Sequence, residues 1–334
     1  MSKIAFLGSG AWGIAVAMVA YNNKHTVKMW SKFPEEIDEI NRTRENSRCL
    51  KNVKIPEGIE FTTNLSIVED ADIVVIGVPS IGVRNVSASI KNIINKDAII
   101  VNLAKGLEKE TLKRLSEVIK EELPDNDVVV LSGPTHAEEV SRGVPSLLVV
   151  SSLNPDAALK VQKTFMCQNF RIYKNDDIVG VELGGALKNI IAIAAGIADE
   201  LKLGDNTVAA LMTRGLTEIA RLGVAMGANK ETFAGLTGVG DLIVTCTSKH
   251  SRNRRAGSLI AKGMKIEDVI KEVGTVEGYF ATLSAKTFAQ SHNVYMPITE
   301  QCYAIMYENK DVKTAINDLL DGQGKDEHEE IWLL

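Results

Sequence analysis

Short β-rich apolar runs punctuate the first half of the chain, at 4–7, 26–30, 73–78, 98–102, 128–131, 147–151 and 170–173. Between several of them the apolar positions switch to helical spacing. This happens over 11–21, over 111–122, and over 157–166 behind the start signal Asn154-Pro155-Asp156. Continuous apolar strands alternating with helices predict a mostly parallel sheet covered on both faces, a doubly wound α/β domain over residues 1–176. Beyond Asp176 the pattern changes. Asp176 and Asp177 stand where they would cap a long helix over 178–202, and helical spacing continues at 207–226, 266–273, 279–291, 299–307 and 312–320. Strand signals vanish, so residues 177–334 are expected to form an all-helical domain. No internal repeat is visible, and the charged stretch 321–330 reads as a solvated end.

The first strand runs straight into Gly8, Gly10 and Gly13, at G-x-G-x-x-G spacing, and the third glycine lies already inside a helical pattern. The first two glycines allow a tight turn and a close backbone approach to a pyrophosphate. The third allows close packing of helix on strand, and the helix N-terminus offers partial positive charge to the anion. Strand before and helix after is the context that this otherwise common spacing needs to mark a dinucleotide seat.

Ligands of doubly wound sheets sit at the carboxyl ends of the strands, so the residues just after each strand are the ones to inspect. After the second come Trp30, Ser31, Lys32 and Phe33. No carboxylate is there to hold the ribose hydroxyls of NAD, and Lys32 fits a 2'-phosphate, which favours NADP; the alternative is a solvated surface lysine. NADPH is therefore expected to be used at least as well as NADH. After the third strand comes Val78-Pro79-Ser80, and after the fourth Asn102-Leu-Ala-Lys105-Gly106. After the fifth comes Ser132-Gly133-Pro134-Thr135-His136-Ala137-Glu138, a turn that exposes backbone N–H groups at the start of a short helix. Lys105 and the turn at 133–135 are expected to converge on one small anionic substrate.

Two clusters in the helical half carry chemistry. In Glu182-Leu-Gly184-Gly185-Ala-Leu-Lys188-Asn189, Lys188 shares a helix face with Gly184, Gly185, Ile191 and Ala195. Glycine costs about 1 kcal/mol per site in a helix interior, so two in a row predict that something comes close, a nicotinamide ring and its substrate being the candidate. Partial burial suits a lysine to act as general acid on a carbonyl being reduced; the alternative is a stem that snorkels to solvent. The second cluster is Leu236-Thr237-Gly238-Val239-Gly240-Asp241, continuing to Thr245, followed by Ser251-Arg252-Asn253-Arg254-Arg255. Asp241 and Thr245 fall on one helix face, and Arg252 between Ser251 and Asn253 offers the planar fork and neutral donors that a phosphate needs.

Composition narrows the classes. A chain of 334 residues suits two domains with their own cores, and 45% hydrophobic with 24% charged residues is ordinary for a globular protein. A net charge of −5 argues against a chain that coats nucleic acid. No apolar run in the sequence pattern approaches the ~18 residues of a membrane span. The first strand starts almost at once, which leaves no room for a signal peptide, and the closing Ile331-Trp-Leu-Leu is no peroxisomal address. Cys49, Cys167, Cys246 and Cys302 stand singly, without metal-ligand spacing, and read as reduced thiols of a cytoplasmic protein with no metal site.

Taken together, GSGAWG, NLAKGLE, SGPTHAEE, ELGGALKNIIAIAAG, LTGVGDLIVTCTS followed by SRN, VEG and MPITE resemble, over nearly the whole chain, the NAD(P)-dependent glycerol-3-phosphate dehydrogenases of the soluble bacterial type. The resemblance implies a Rossmann-like domain plus a helical domain, a homodimer, and NAD(P)H-dependent reduction of dihydroxyacetone phosphate to sn-glycerol 3-phosphate for phospholipid synthesis. It makes Lys188 the catalytic acid/base and Asp241 the carboxylate that contacts the substrate hydroxyls and supports the lysine. Lys105, Gly133, Thr135, Ser251, Arg252 and Asn253 become substrate-binding residues, with Thr245 an extra phosphate contact. Trp12, Lys32, Phe33, Lys105, Ala137, Arg252 and Glu277 join the three glycines as cofactor positions. Ala11 departs from the family's frequent Ser, and Lys32-Phe33 from its frequent His or Arg followed by Arg; both bear on the grip on a 2'-phosphate. Two rivals stay open: another two-domain dehydrogenase, acting on a 3-hydroxy acid or sugar acid, and a non-catalytic dinucleotide-binding redox sensor.

Overall fold

The computed structural model describes residues 1–321 and divides the chain into two units, Met1–Ile178 and Val179–Leu334. The charged stretch expected at 321–330 lies, beyond its first residue, outside the described residues.

In the first unit the strands are β1 (Lys3–Leu7), β2 (Thr26–Trp30), β3 (Glu60–Thr62), β4 (Ile73–Ile76), β5 (Ile99–Asn102), β6 (Val128–Ser132), β7 (Ser146–Ser152) and β8 (Phe170–Lys174). They form one sheet in the order β3-β2-β1-β4-β5-β6-β7-β8, parallel throughout except where β7 runs against β6. The helices between them are α1 (Ala11–Asn22), α2 (Pro34–Thr43), α3 (Val83–Ile90), α4 (Leu115–Glu122), α5 (Ala137–Val140) and α6 (Pro155–Phe165). Alternation along β1 explains why its run is apolar without a break. Ile4 and Phe6 enter one core with α1, α2 and α6, while Ala5 and Leu7 enter a second core with α3 and α4. A strand packed on both faces has no polar face to show.

Seven of the eight strands fall on the apolar runs that predict them, and β3 falls on none. At three residues on the sheet edge, Glu60–Thr62 shows too little pattern to register. The helix expected over 111–122 begins only at Leu115, because residue 107 bridges residue 114 and Leu112 takes a positive φ of 62° to close that loop. The strand expected over 73–78 ends at Ile76, where Gly77 turns beside Gly8. The start signal before α6 works as expected, with the Asn154 side chain accepting from the backbone N–H groups of Asp156 and Ala157.

Among its described residues the second unit is helical: α7 (Ile178–Glu200), α8 (Asp205–Ala225), α9 (Lys230–Phe233), α10 (Asp241–Thr247), α11 (Arg252–Ala261), α12 (Ile266–Val273), α13 (Glu277–Ser291), α14 (Pro297–Tyr307) and α15 (Val312–Leu320). A short π-helix, Leu236–Gly240, runs directly into α10. The expectation that no apolar stretch approaches membrane-spanning length is corrected by α7. At 23 residues it is long and apolar enough by length and composition, and 89% of its most apolar window is buried inside the protein. It is apolar all round because helices surround it, and Lys188, Asn189 and Glu182 are its buried polar interruptions.

Candidate active site

The chain reverses direction across the sheet between β1 and β4, the place where doubly wound folds open a crevice. The glycine turn is fixed there by backbone alone. Gly8 N–H donates to the Trp30 carbonyl at 2.8 Å, and Gly77 N–H donates to the Leu7 carbonyl at 2.9 Å. Gly8 has φ 116°, and a Cβ on it would stand 2.9 Å from the Gly77 carbonyl carbon. No other residue fits. Gly10 is the N-cap of α1 and carries no side-chain cap, so the first-turn N–H groups face outward for an anion. This cradle fits the pyrophosphate of a dinucleotide. The Trp12 indole, one of the expected cofactor positions, packs against Phe170, ring centroids 6.4 Å apart.

At the end of β2 the Lys32 ammonium lies over the exposed Phe33 ring, 5.0 Å from its centroid. The reading that no carboxylate stands here is corrected. Glu36, from the first turn of α2, accepts from Ser9 Oγ and Ser31 Oγ at 2.7 Å each, and from Asn46 Nδ2 at 2.8 Å. Glu36 stands three residues past Phe33, and an acidic residue in the first turn of the next helix is the sequence signal for it.

The expected meeting of Lys105 with the turn after β6 is present. Lys105 Nζ donates to the Gly133 carbonyl at 2.8 Å, and Thr135 Oγ1 donates to the same oxygen at 3.2 Å. Gly133 has φ 140°, with Leu148 backbone 3.1 Å from where a Cβ would be. Glu108, three residues past Lys105, grips the Arg84 guanidinium in a bidentate pair at 2.6 and 2.7 Å, which pins the loop. Arg84 holds the Glu108 carboxyl below the usual carboxylate range. Ala137 is buried at the start of α5.

In the second unit Lys188 is 5% exposed and Asp241 is fully buried. The expected partial burial is thus complete burial against a counter-ion. The ammonium donates to Asp241 Oδ1 and, at 2.7 Å, to Thr245 Oγ1, which in turn donates to the Asp241 carbonyl at 2.6 Å. The i, i+4 pair read from sequence therefore closes on the lysine. Gly184 is corrected: the group that comes close is protein, since a Cβ there would lie 2.5 Å from the Thr237 carbonyl oxygen of the π-helix. That contact brings Asp241 to Lys188. Burial pushes the neighbouring Cys246 thiol up to about 12, which keeps it protonated beside the pair.

Next along α7, Asn189 Oδ1 accepts from Asn253 Nδ2 at 2.8 Å, and Asn253 Oδ1 accepts from Gly278 N–H at 2.9 Å. This link brings Asn253 and the start of α13, where Glu277 stands, to the residue beside the lysine. Asn189 was not singled out from sequence, although a Lys-Asn pair inside an apolar helix is a legible signal. Ser251 caps α11, accepting from Arg254 N–H at 3.2 Å. Of the three arginines that follow, Arg254 pairs with Asp199 and Arg255 with Glu272. Arg252 is exposed in the first turn of α11 and, among the described residues, is tied to none of them. An unspent guanidinium at a helix N-terminus suits a phosphate.

Comparison with known proteins follows the same division. The model for the NAD-dependent glycerol-3-phosphate dehydrogenase N-terminus matches residues 3–158, and that for the C-terminus matches 177–317. A glycerol-3-phosphate dehydrogenase [NAD(P)+] from Thermoanaerobacter sp. is 54% identical over 327 residues, 97% of this chain and 98% of the relative. One from Fusobacterium nucleatum is 51% identical over 324 residues, 96% and 97% of the two chains. The crystal structure of a glycerol-3-phosphate dehydrogenase from Coxiella burnetii superposes with a TM-score of 0.92 at 38% identity, covering 96% of this chain and 99% of its own.

Proposed function

The chain belongs to the NAD-dependent glycerol-3-phosphate dehydrogenase family, and from that premise we propose that it reduces dihydroxyacetone phosphate to sn-glycerol 3-phosphate with NADH or NADPH, reversibly. The observation that carries the reading is the buried Lys188 ammonium held by Asp241 and Thr245.

A nicotinamide dinucleotide, when bound, supplies the hydride. Gly8, Gly10 and Gly13 would hold its pyrophosphate, with Trp12, Lys32, Phe33, Lys105, Ala137, Arg252 and Glu277 as its further contacts. Lys188 donates a hydrogen bond to the C2 oxygen of the ketone and gives up a proton from Nζ as that oxygen gains negative charge; a solvent proton restores the ammonium. Asp241 supplies the counter-charge and fixes the direction of Nζ, and Thr245 supplies the second acceptor. Asn189 and Asn253 fix the backbone on either side. Arg252, Ser251 and Asn253 bind the phosphate, and Lys105, Gly133 and Thr135 bind the rest of the substrate. Binding energy from the phosphate, remote from the reacting carbon, positions the carbonyl. The natural setting we infer is a cytoplasmic homodimer that feeds glycerophospholipid synthesis.

The test is oxidation of NADH and of NADPH by the full-length protein with dihydroxyacetone phosphate, set against 3-keto acids and sugar acids. Turnover with the ketone phosphate alone is expected. Turnover with a carboxylate substrate instead, or dinucleotide binding without turnover, overturns the reading in favour of one of its two rivals. Light scattering on the eluting protein checks the dimer.

A further inference from the structure

We propose that Glu36 is a specificity-determining residue of the dinucleotide site, its carboxylate opposing the 2'-phosphate that Lys32 admits. The inference rests on the dinucleotide reading above and deepens it.

The adenosine ribose of a dinucleotide seated on a G-x-G-x-x-G turn lies beyond the end of the second strand. In this chain that end is Ser31, whose Oγ donates to Glu36 Oε2 at 2.7 Å. The same oxygen accepts from Ser9 Oγ inside the glycine turn, also at 2.7 Å. The carboxylate thus touches both elements that border the ribose. Asn46 holds it from a third side, donating Nδ2 to Oε1 at 2.8 Å and to the Ser9 carbonyl at 3.0 Å. Asn46 is 1% exposed, so a carboxylate that swung away would leave a buried amide short of a partner.

Three donors reach a carboxylate that has roughly four acceptor positions, so about one remains for a further donor. The 2'-hydroxyl of NADH is such a donor. The 2'-phosphate of NADPH brings instead an anion to a fixed anion, at a short distance and beside a low-dielectric core. Lys32, directly after Ser31 and exposed, brings a cation to the same strand end. The two opposite charges, one clamped and one exposed over Phe33, make use of both cofactors the outcome. Glu35 and Arg48, exposed on the flanking segments, are common to every variant below and drop out of the comparison.

The experiment measures dissociation constants for NADH and NADPH by fluorescence, without substrate, and KM for both with dihydroxyacetone phosphate. In Glu36→Gln, close in shape and uncharged, NADPH is expected to gain on NADH by about fivefold or more, through Kd and KM with little change in kcat. A ratio that stays within about twofold, or that falls, overturns the proposal, as do two constants that worsen together, the mark of a purely structural clamp. Lys32→Ala gives an independent reading at an exposed position that leaves the Glu36 network intact. There Glu36 acts alone, and NADPH is expected to bind about fivefold or more weakly than NADH; equal binding overturns the proposal. Wild-type protein that binds both dinucleotides without reducing dihydroxyacetone phosphate would sink the reaction assigned above, while the binding ratios would still decide the role of Glu36.

Discussion

The glycine turn of the first unit and the lysine cluster of the second are built on opposite principles. The turn is backbone: its specificity lies in the space that Gly8 leaves against Gly77 and in N–H groups with no capping side chain. The cluster is side chain: one ammonium and one carboxylate, both buried and in direct contact. A backbone site of this kind tolerates change in the residues around it and little at Gly8. A buried ion pair tolerates joint replacement and punishes the loss of either member. Binding of a common cofactor can rest on the first kind of site, while proton transfer demands the second.

Four measurements press on this contrast, the largest effect first. Lys188→Ala is expected to lower kcat by about 10²–10⁴-fold while the Kd for NADH stays near its wild-type value; a matched loss of binding would erase the separation of roles. Asp241→Asn leaves a buried ammonium without its counter-charge and is expected to cost about 3–5 kcal/mol in denaturant unfolding. A double variant, Lys188→Met with Asp241→Leu, is expected to recover most of that stability and none of the activity. Gly8→Ala forces a positive φ and a backbone clash and is expected to cost about 1–3 kcal/mol. Its KM for the dinucleotide should rise, with Lys188 chemistry intact once the cofactor is saturating.

The smallest effect concerns a second buried carboxylate. Glu218 accepts from the backbone N–H groups of Ile298 and Thr299 and from Thr299 Oγ1, at 2.7–3.1 Å, and so caps α14. Burial outweighs these donors and the nearby Arg221 charge, and its carboxyl is pushed up to about 7. A carboxyl raised above its ordinary value contributes stability that is full below about pH 4.5 and is lost as pH rises through about 7. Thermal melts are expected to fall across that window by an amount that Glu218→Gln removes.

Legibility in the sequence followed how local each signal was. The strands of the first unit announced themselves because both faces are buried, so their apolar runs are unbroken. β3 did not, since a three-residue edge strand carries no period. Lys188, Asp241 and Thr245 could be placed on helix faces from spacing, but their meeting is a contact 53 residues apart that depends on Gly184 admitting the Thr237 carbonyl. Periodicity identifies a face and says nothing of what covers it. For the same reason the glycine pair in α7 was assigned to a ligand when a neighbouring backbone claims Gly184. Glu36 was missed because it reaches back from a helix to the end of a strand already passed. Asn189 shows the opposite failure, a signal in plain view that needed its partner Asn253 to acquire meaning.

One consequence of α7 concerns synthesis. The segment leaves the ribosome as a span apolar enough for a bilayer, with a lysine at its middle whose partners Asp241 and Thr245 are not yet made. Asp241 is translated 53 residues after Lys188, Asn253 64 after Asn189, and Gly278 later still. Until roughly two hundred and eighty residues have been made, the polar contacts that Asp241, Thr245, Asn253 and Gly278 bring to Lys188 and Asn189 cannot all form.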